Sequence, residues 1–422
     1  MTQLMGTQVK TVSPLESRRQ RWLASVPRGQ FWAFFTAAIF FNFGFSAYFF
    51  LFNLYLLNFG FTERFLGLVG GLMATGTIIG TIPAGVAAQR FGLRATLTGC
   101  VVLTVCFSIL RALLVWQPAQ LILAVCCGLA LCCWAVCLSP SVAGLATEHQ
   151  RPVAFSLIFA SGIGVAGLGS LFAGRLPDWI RTFAPGLSLT STRATGAALL
   201  VSCGIAFLAL IPISRLTLRA AASGPQLPRF SNSFLRRFLP AMAIWGLVTG
   251  SFAPFANVYF VHHLGFSMAR AGTVFSFANL GQFIAVICAP LLFRRAGLTS
   301  RIMMTQFAVA ASLVLLSASH AEMQVAVIYW IYMSTQSMNE PGIYNLLMDR
   351  IPAPEHNGAS AAAFFVSGIA QAVASLAMGA AIVRFGYSAA LVAVAALAGM
   401  AAILFGRLPD GRISPQGAAC EL

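Results

Sequence analysis

The residues best equipped for chemistry lie in one stretch, Tyr329-Trp330-Ile331-Tyr332-Met333-Ser334-Thr335-Gln336-Ser337-Met338-Asn339-Glu340-Pro341. A carboxyl group can take up and release a proton or hold a cation, and Asn339, Gln336 and Tyr332 offer hydrogen bonds beside it. Glu340 is the one acid that falls well inside an apolar segment, and Asp349, nine residues later, marks the end of that segment. At 1.5 Å rise per helical residue, Glu340 lies about 13 Å from that end, close to the middle of a ~30 Å hydrocarbon core. A charge at that depth is costly unless it is paired, protonated or lined by water. Two readings stay open. Glu340 is a proton or substrate site, or it is a structural carboxyl bonding a neighbouring helix, helped by backbone groups freed at Pro341.

That depth presupposes a membrane, and the composition requires one. Of 422 residues 59% are apolar and 9% charged, against about 25% charged in soluble domains. Apolar runs fall at 31–58, 66–88, 95–116, 119–145, 153–174, 194–213, 238–261, 271–293, 302–319, 323–348, 358–382 and 388–406. Each is long enough to cross a bilayer, and in lipid each must satisfy its backbone internally as a helix. The expected fold is an all-α integral membrane protein of twelve transmembrane helices. The polar first thirty residues precede a run too long for a signal-peptide core, so 31–58 reads as the first span.

An even number of spans puts both termini on one side. With the termini inside, Arg64, Arg111, Arg175, Arg181, Arg193, Arg270 and Arg384 fall outside, and the other nineteen of the 26 basic residues fall inside. Both termini are therefore expected in the cytoplasm, in a multi-pass protein of the cell (inner) membrane. The expected organisation is a cytoplasmic tail (1–30), a six-helix bundle (31–213), a basic cytoplasmic linker (214–237), a second six-helix bundle (238–406) and a tail (407–422).

The two bundles look like copies of each other. Gly60-Phe61-Thr62 recurs as Gly265-Phe266-Ser267, and Gly67, Gly76 and Gly92 recur as Gly272, Gly281 and Gly297, all at a spacing of 205. Asn53-x-Tyr55 recurs as Asn257-x-Tyr259. Glu148-His149 answers Glu355-His356, and Ser161-Gly162-Ile163 answers Ser367-Gly368-Ile369. So many matches in order indicate an internal duplication. Ser139-Pro140 lies in span four where Glu340-Pro341 lies in span ten, and paired helix breaks at Pro140 and Pro341 would point to a binding site between the halves. The Asn and Tyr pairs could face a substrate or pack an outer gate.

The loop after the second span reads Gly85-Val86-Ala87-Ala88-Gln89-Arg90-Phe91-Gly92-Leu93-Arg94. It resembles the loop signature of the major facilitator superfamily, Gly-x-x-x-Asp-Arg-x-Gly-x-Arg/Lys, with a degenerate second copy at Phe293-Arg294-Arg295-Ala296-Gly297. The resemblance implies two pseudo-symmetric six-helix bundles and a cavity lined mainly by spans one, four, seven and ten. It also implies that Gly85, Arg90, Gly92 and Arg94 latch the cytoplasmic side during the transport cycle; read alone, the arginines are ordinary positive-inside residues. The sequence departs from the pattern at Gln89, which replaces the usual acid. Ala124 stands where proton-coupled drug antiporters carry a membrane arginine, and the glycine-rich fifth span lacks their Gly-Pro pair.

Other functions fit less well. The net charge of +16 is spread over loops without a basic stripe, so no nucleic-acid partner is expected. Lys10 is the sole lysine, which excludes a Gly-x-x-x-x-Gly-Lys-Ser/Thr phosphate loop for ATP. The five histidines lie in loops or at span ends. Cys126, Cys127, Cys132, Cys133 and Cys137 share a stretch without His, Asp or Glu, which reads as helix packing rather than a metal or redox cluster. An intramembrane enzyme would need more than one isolated Glu, so no enzyme and no cofactor is expected. The leading reading is a monomeric secondary transporter for a small, weakly polar or cationic organic solute, coupled to protons, with export favoured. Phosphate or a dicarboxylate would call for membrane arginines, and the spans offer only Arg111, close to an outer end. An uptake symporter or facilitator, or a membrane sensor or scaffold on the same fold, stands as the alternative.

Overall fold

The structure, a computed structural model, describes residues 29–147, 150–183, 190–217, 233–293, 298–352 and 355–408. The tails, Glu148-His149, most of the central linker and the second loop copy at Arg294–Gly297 lie outside the described residues.

Among the described residues the long elements are all helices. They are α1 (Gln30–Leu57), α2 (Glu63–Arg90), α3 (Leu93–Leu113), α4 (Gln117–Leu145), α5 (Arg151–Phe183), α6 (Ser191–Ser214), α7 (Ser233–His263), α8 (Met268–Phe293), α9 (Leu298–Ala318) and α10 (Glu322–Arg350). A final stretch, His356–Gly406, turns at Gly386, whose φ of 79° no helix allows, giving α11 (356–385) and α12 (387–406). Ten described helices are long and apolar enough to cross a membrane, with Gly358–Gly406 counted once. Glu322–Arg350 falls outside that set because α10 carries the polar run around Glu340.

The duplication in the sequence is also a duplication in packing. Tyr55 of α1 donates to the Ala112 carbonyl of α3 at 2.8 Å, and Tyr259 of α7 donates to the Leu316 carbonyl of α9 at 3.0 Å. Gly67 of α2 lies against Ser375 and Gly379 of α11, while Gly272 of α8 lies against Ser170 and Gly174 of α5. All three residues of one crossing are displaced by 205 from those of the other. Neither Gly67 nor Gly272 has room for a Cβ, so only glycine lets these backbones meet. The two crossings hold the halves together on opposite flanks. Two of the α4 cysteines pack against neighbouring helices: Cys132 fills the space beside Gly80, and Cys127 lies 3.9 Å from the Ser108 hydroxyl.

One element departs from its repeat mate. α1 is unbroken, whereas α7 runs as regular α-helix to Ser251, tightens to a 3-10 turn at Ala253–Phe255, resumes as α-helix at Ala256–Val258, and winds wide as a π-helix over Tyr259–His263. Pro254 lies in the 3-10 turn, where it supplies no backbone N–H. Of the repeat pair α1 and α7, the interrupted helix is therefore α7. α4 and α10 continue through Pro140 and Pro341 without ending, so the paired breaks expected there are at most local losses of one backbone bond each.

Candidate functional site

Four side-chain hydrogen bonds cross between the halves among the described residues, and all lie towards the end away from the termini. Asn53 donates to the Pro254 carbonyl and Asn257 to the Phe50 carbonyl, each at 2.7 Å. Arg175 donates to the Thr273 hydroxyl at 3.2 Å, and Ser375 to the Gly67 carbonyl at 3.3 Å. The Asn pair is reciprocal: each repeat reaches the backbone of the other. The break in α7 presents the Pro254 carbonyl, and Asn257 also accepts from the Val258 N–H at 2.9 Å, holding the end of that break. This end of the molecule is closed.

Behind the closure lie two adjoining cavities. One of about 310 Å³ is walled by α1, α2, α3, α5, α7 and α8 and includes Asn53, Asn257, Arg111 and Ser170. The other, of about 660 Å³, is walled by α2, α7, α10 and α11 and includes Glu340, Trp245, Thr249, Thr77 and Gln371. Gly70, Met73, Ala253 and Pro254 line both, so the two are lobes of one space between the halves. Volumes of this size suit small organic molecules. The wall differs from the one implied by resemblance, because α2 and α11 contribute where α4 does not. α4 is turned away: Trp134 stacks on Phe41 of α1 with centroids 4.2 Å apart, and its Ser139-Pro140 lines neither lobe.

The candidate residues separate by helical phase. Glu340, Ile343 and Tyr344 lie at i, i+3 and i+4 on α10 and share the face that lines the larger lobe. Glu340 is exposed there, and among the described residues no side chain ion-pairs with it. Asn339, one residue earlier, points elsewhere. It is fully buried, accepts from the Thr305 hydroxyl of α9 at 3.0 Å and donates to the Thr335 carbonyl at 3.0 Å. Gln336 and Tyr332 precede Glu340 by one and two turns on its face but line neither lobe; the Gln336 Oε1 and the Tyr332 hydroxyl are buried without a partner among the described residues. Tyr332 packs instead on Phe252 and Tyr329. Ser337 turns to α8 and donates to Gln282 at 2.8 Å.

Of the Asn–Tyr pairs, the asparagines line the smaller lobe and close it, while Tyr55 and Tyr259 are buried within their own halves, away from both lobes. At the end nearer the termini, Gly85 lies in the last turns of α2. Gly92 takes a φ of 84° between α2 and α3, and Arg90 and Arg94 are exposed, Arg90 lying 5.6 Å from the Phe91 ring.

Sequence reasoning did not assign three residues to the site. Trp245 is buried beside the larger lobe, with its Nε1 unpartnered among the described residues. Pro254 marks the break in α7; the signal was present in Ser251-Phe252-Ala253-Pro254, inside an otherwise continuous apolar run. Arg111 was placed close to an outer end, yet it is only 1% exposed and folds inward over Phe52 to line the smaller lobe.

A family model described as Major Facilitator Superfamily matches residues 33–375. The chain belongs to that superfamily. No curated protein sequence matches it. Among solved structures it is similar to a D-xylose–proton symporter, with 15% identity, a TM-score of 0.72, and coverage of 90% of this chain and 99% of that one. It is also similar to the inward-open xylose transporter XylE from E. coli, with 13% identity, a TM-score of 0.72, and 92% and 98% coverage. A third likeness is to a bacterial homologue of the human lysosomal transporter Spinster in an inward-facing, occupied conformation, with 14% identity, a TM-score of 0.71, and 91% and 98% coverage. At such identities these likenesses describe the fold.

Proposed function

We propose that this superfamily member is a secondary active transporter that moves a small, weakly polar or cationic organic solute by alternating access, with Glu340 taking up and releasing a proton. The observation that carries the reading is the position of Glu340: a membrane-depth carboxyl, without an ion pair among the described residues, exposed to a cavity between two halves that are closed at one end. A carboxyl so placed is a site for a proton in one state and for a cationic solute in another, so the two compete. The unpartnered Trp245 Nε1 supplies a donor on the same wall, and Thr249 and Gln371 supply neutral hydrogen bonds.

The positive-inside distribution supports termini in the cytoplasm, which makes the closed end the outer one and the structure inward-facing. Competition of proton and solute for one carboxyl suits exchange down an inward proton gradient, hence export. Arg90 and Arg94 then lie on the cytoplasmic rim, and a single chain holds the whole path.

The test is Glu340→Gln in proteoliposomes, after a substrate screen on the wild type. Gln keeps the size and much of the hydrogen bonding but does not titrate. Accumulation driven by a pH gradient should disappear while solute exchange without a gradient continues. If Glu340→Gln accumulates solute with unchanged pH dependence, the carboxyl is structural and proton coupling at this site is refuted.

A further inference from the structure

Arg111 is unusual among the basic residues because it is almost wholly buried and still borders the cavity. Its neighbours are neutral. Nε donates to the Gln120 Oε1 at 3.4 Å, one terminal nitrogen lies 3.8 Å from the Met73 sulfur, and the guanidinium carbon sits 4.1 Å from the centroid of the Phe52 ring. Among the described residues no acid pairs with it, and the lining of the smaller lobe contains no carboxylate. A guanidinium keeps its charge in proteins, and a buried charge is costly unless something balances it. The cation–π contact, the two long neutral contacts and a hydrogen bond with the Cys127 thiol balance it only in part. The remaining walls of the lobe carry no competing negative charge; the Asn53 and Asn257 amides each keep a second N–H beside the one donated across the halves, while the Ser170 hydroxyl donates to the Ala166 carbonyl at 3.0 Å.

The second half of the argument is connectivity. Met73 touches Arg111 and also lines the larger lobe, where Glu340 is the one acidic side chain. Arginine at one end and glutamate at the other give the joined space two poles of opposite sign, separated by an apolar waist at Met73, Ala253 and Pro254. We infer that Arg111 is a second, anion-binding pole, and that the carried solute is a zwitterionic aminocarboxylate whose carboxylate docks on Arg111 while its ammonium docks on Glu340. This rests on the carrier reading above and extends it: the solute keeps the cationic group for Glu340 and adds an anionic one. One arginine suits a single carboxylate, and the guanidinium fork takes it through two parallel hydrogen bonds.

The probes are straight-chain ω-aminocarboxylates of increasing length, each beside the monoamine and the monocarboxylate of the same chain length. Binding is measured by calorimetry on the purified full chain in lipid nanodiscs at fixed salt. The wild type should bind at least one aminocarboxylate about tenfold or more tightly than its matched amine, the factor expected of one charge-assisted hydrogen-bonded contact. Arg111→Gln should erase that factor and leave amine binding unchanged, whereas Arg111→Lys should keep most of it because the charge remains. If Arg111→Gln fails to fold, the wild-type comparison and the lysine variant decide. No aminocarboxylate preference in the wild type, or a preference that survives Arg111→Gln, overturns the anion pole. The carrier reading is separable: amine binding and Glu340-dependent accumulation can persist when the pole fails, whereas a loss of amine binding together with accumulation indifferent to Glu340→Gln removes the carrier reading itself.

Discussion

Removing the reciprocal asparagine bonds should open the far end of the molecule by a calculable amount. Asn53 and Asn257 each donate across the halves at 2.7 Å, to the carbonyls of Pro254 and Phe50. When this end opens, the amides and both carbonyls gain water, so each bond contributes its net rather than its gross energy. A neutral hydrogen bond of this kind contributes about 0.5–1.5 kcal/mol net. The two are equivalent by repeat symmetry and engage separate partners, so to a first approximation they add, giving about 1–3 kcal/mol. That shifts the ratio of closed to open by roughly 5- to 150-fold. The two variants are not equivalent, because Asn257 also holds the Val258 N–H at 2.9 Å. Asn257→Ala should therefore cost thermal stability as well, and Asn53→Ala should act on the equilibrium nearly alone.

The assay is a distance distribution between spin labels at Thr62→Cys and Ser267→Cys, in a background without native cysteines. These exposed positions occupy equivalent turns of the two halves at the closed end. Asn53→Ala should populate a longer distance, and the double variant should do so more. If the double variant keeps the wild-type distribution within about twofold in population, well below the smallest shift the two bonds predict, then they do not hold the closure.

Three further outcomes follow from the same contacts. Arg90→Ala with Arg94→Ala should slow transport while solute affinity stays within a few-fold, since these residues lie half a membrane from Glu340 and act through the equilibrium of states; steady-state kinetics in proteoliposomes separates the two. Tyr55→Phe should lower thermal stability by about 0.5–1.5 kcal/mol through loss of its bond to Ala112, with solute affinity unchanged by calorimetry. Gly67→Ala and Gly272→Ala should each populate the longer label distance, because an added methyl meets the Ser375 and Ser170 carbonyls at the flanking crossings.

The fold was legible because a bilayer leaves an apolar run no choice but helix, and because the repeat spacing announces which crossings are equivalent. Gly67 and Gly272 could be paired from sequence; that they meet Gly379 and Gly174 needed coordinates. The Asn–Tyr motif shows the limit most clearly. Residues two apart on a helix point about 200° away from each other, so one motif faces two environments: asparagine looks across to the other half and tyrosine looks back into its own. Spacing alone did not say which. The same rotation separates Asn339 from Glu340, the first bonded to α9 and the second open to the cavity. The break in α7 was hidden for a different reason: apolarity continues through Phe252, Ala253 and Phe255, so a reading based on hydropathy passes over the proline between them.

Where the halves agree they build the scaffold, and where they differ they carry the charge. By the spacing that relates Ala112 to Leu316, the repeat mate of Arg111 is Leu315; by the spacing that relates Pro140 to Pro341, the mate of Glu340 is Ser139. Each half thus places one charged side chain on the shared cavity, of opposite sign, in a position its twin leaves neutral. The glycine crossings and the two asparagine bonds, by contrast, occur in matched pairs and favour neither half. A solute that touches one pole alone binds to one half and gains little from the approach of the other. On the carrier reading proposed above, a solute that touches both adds a contact across the interface that rearranges in alternating access, and its binding energy then acts on the equilibrium between states. Recognition and motion are coupled in that way only if the two charges stay on separate halves.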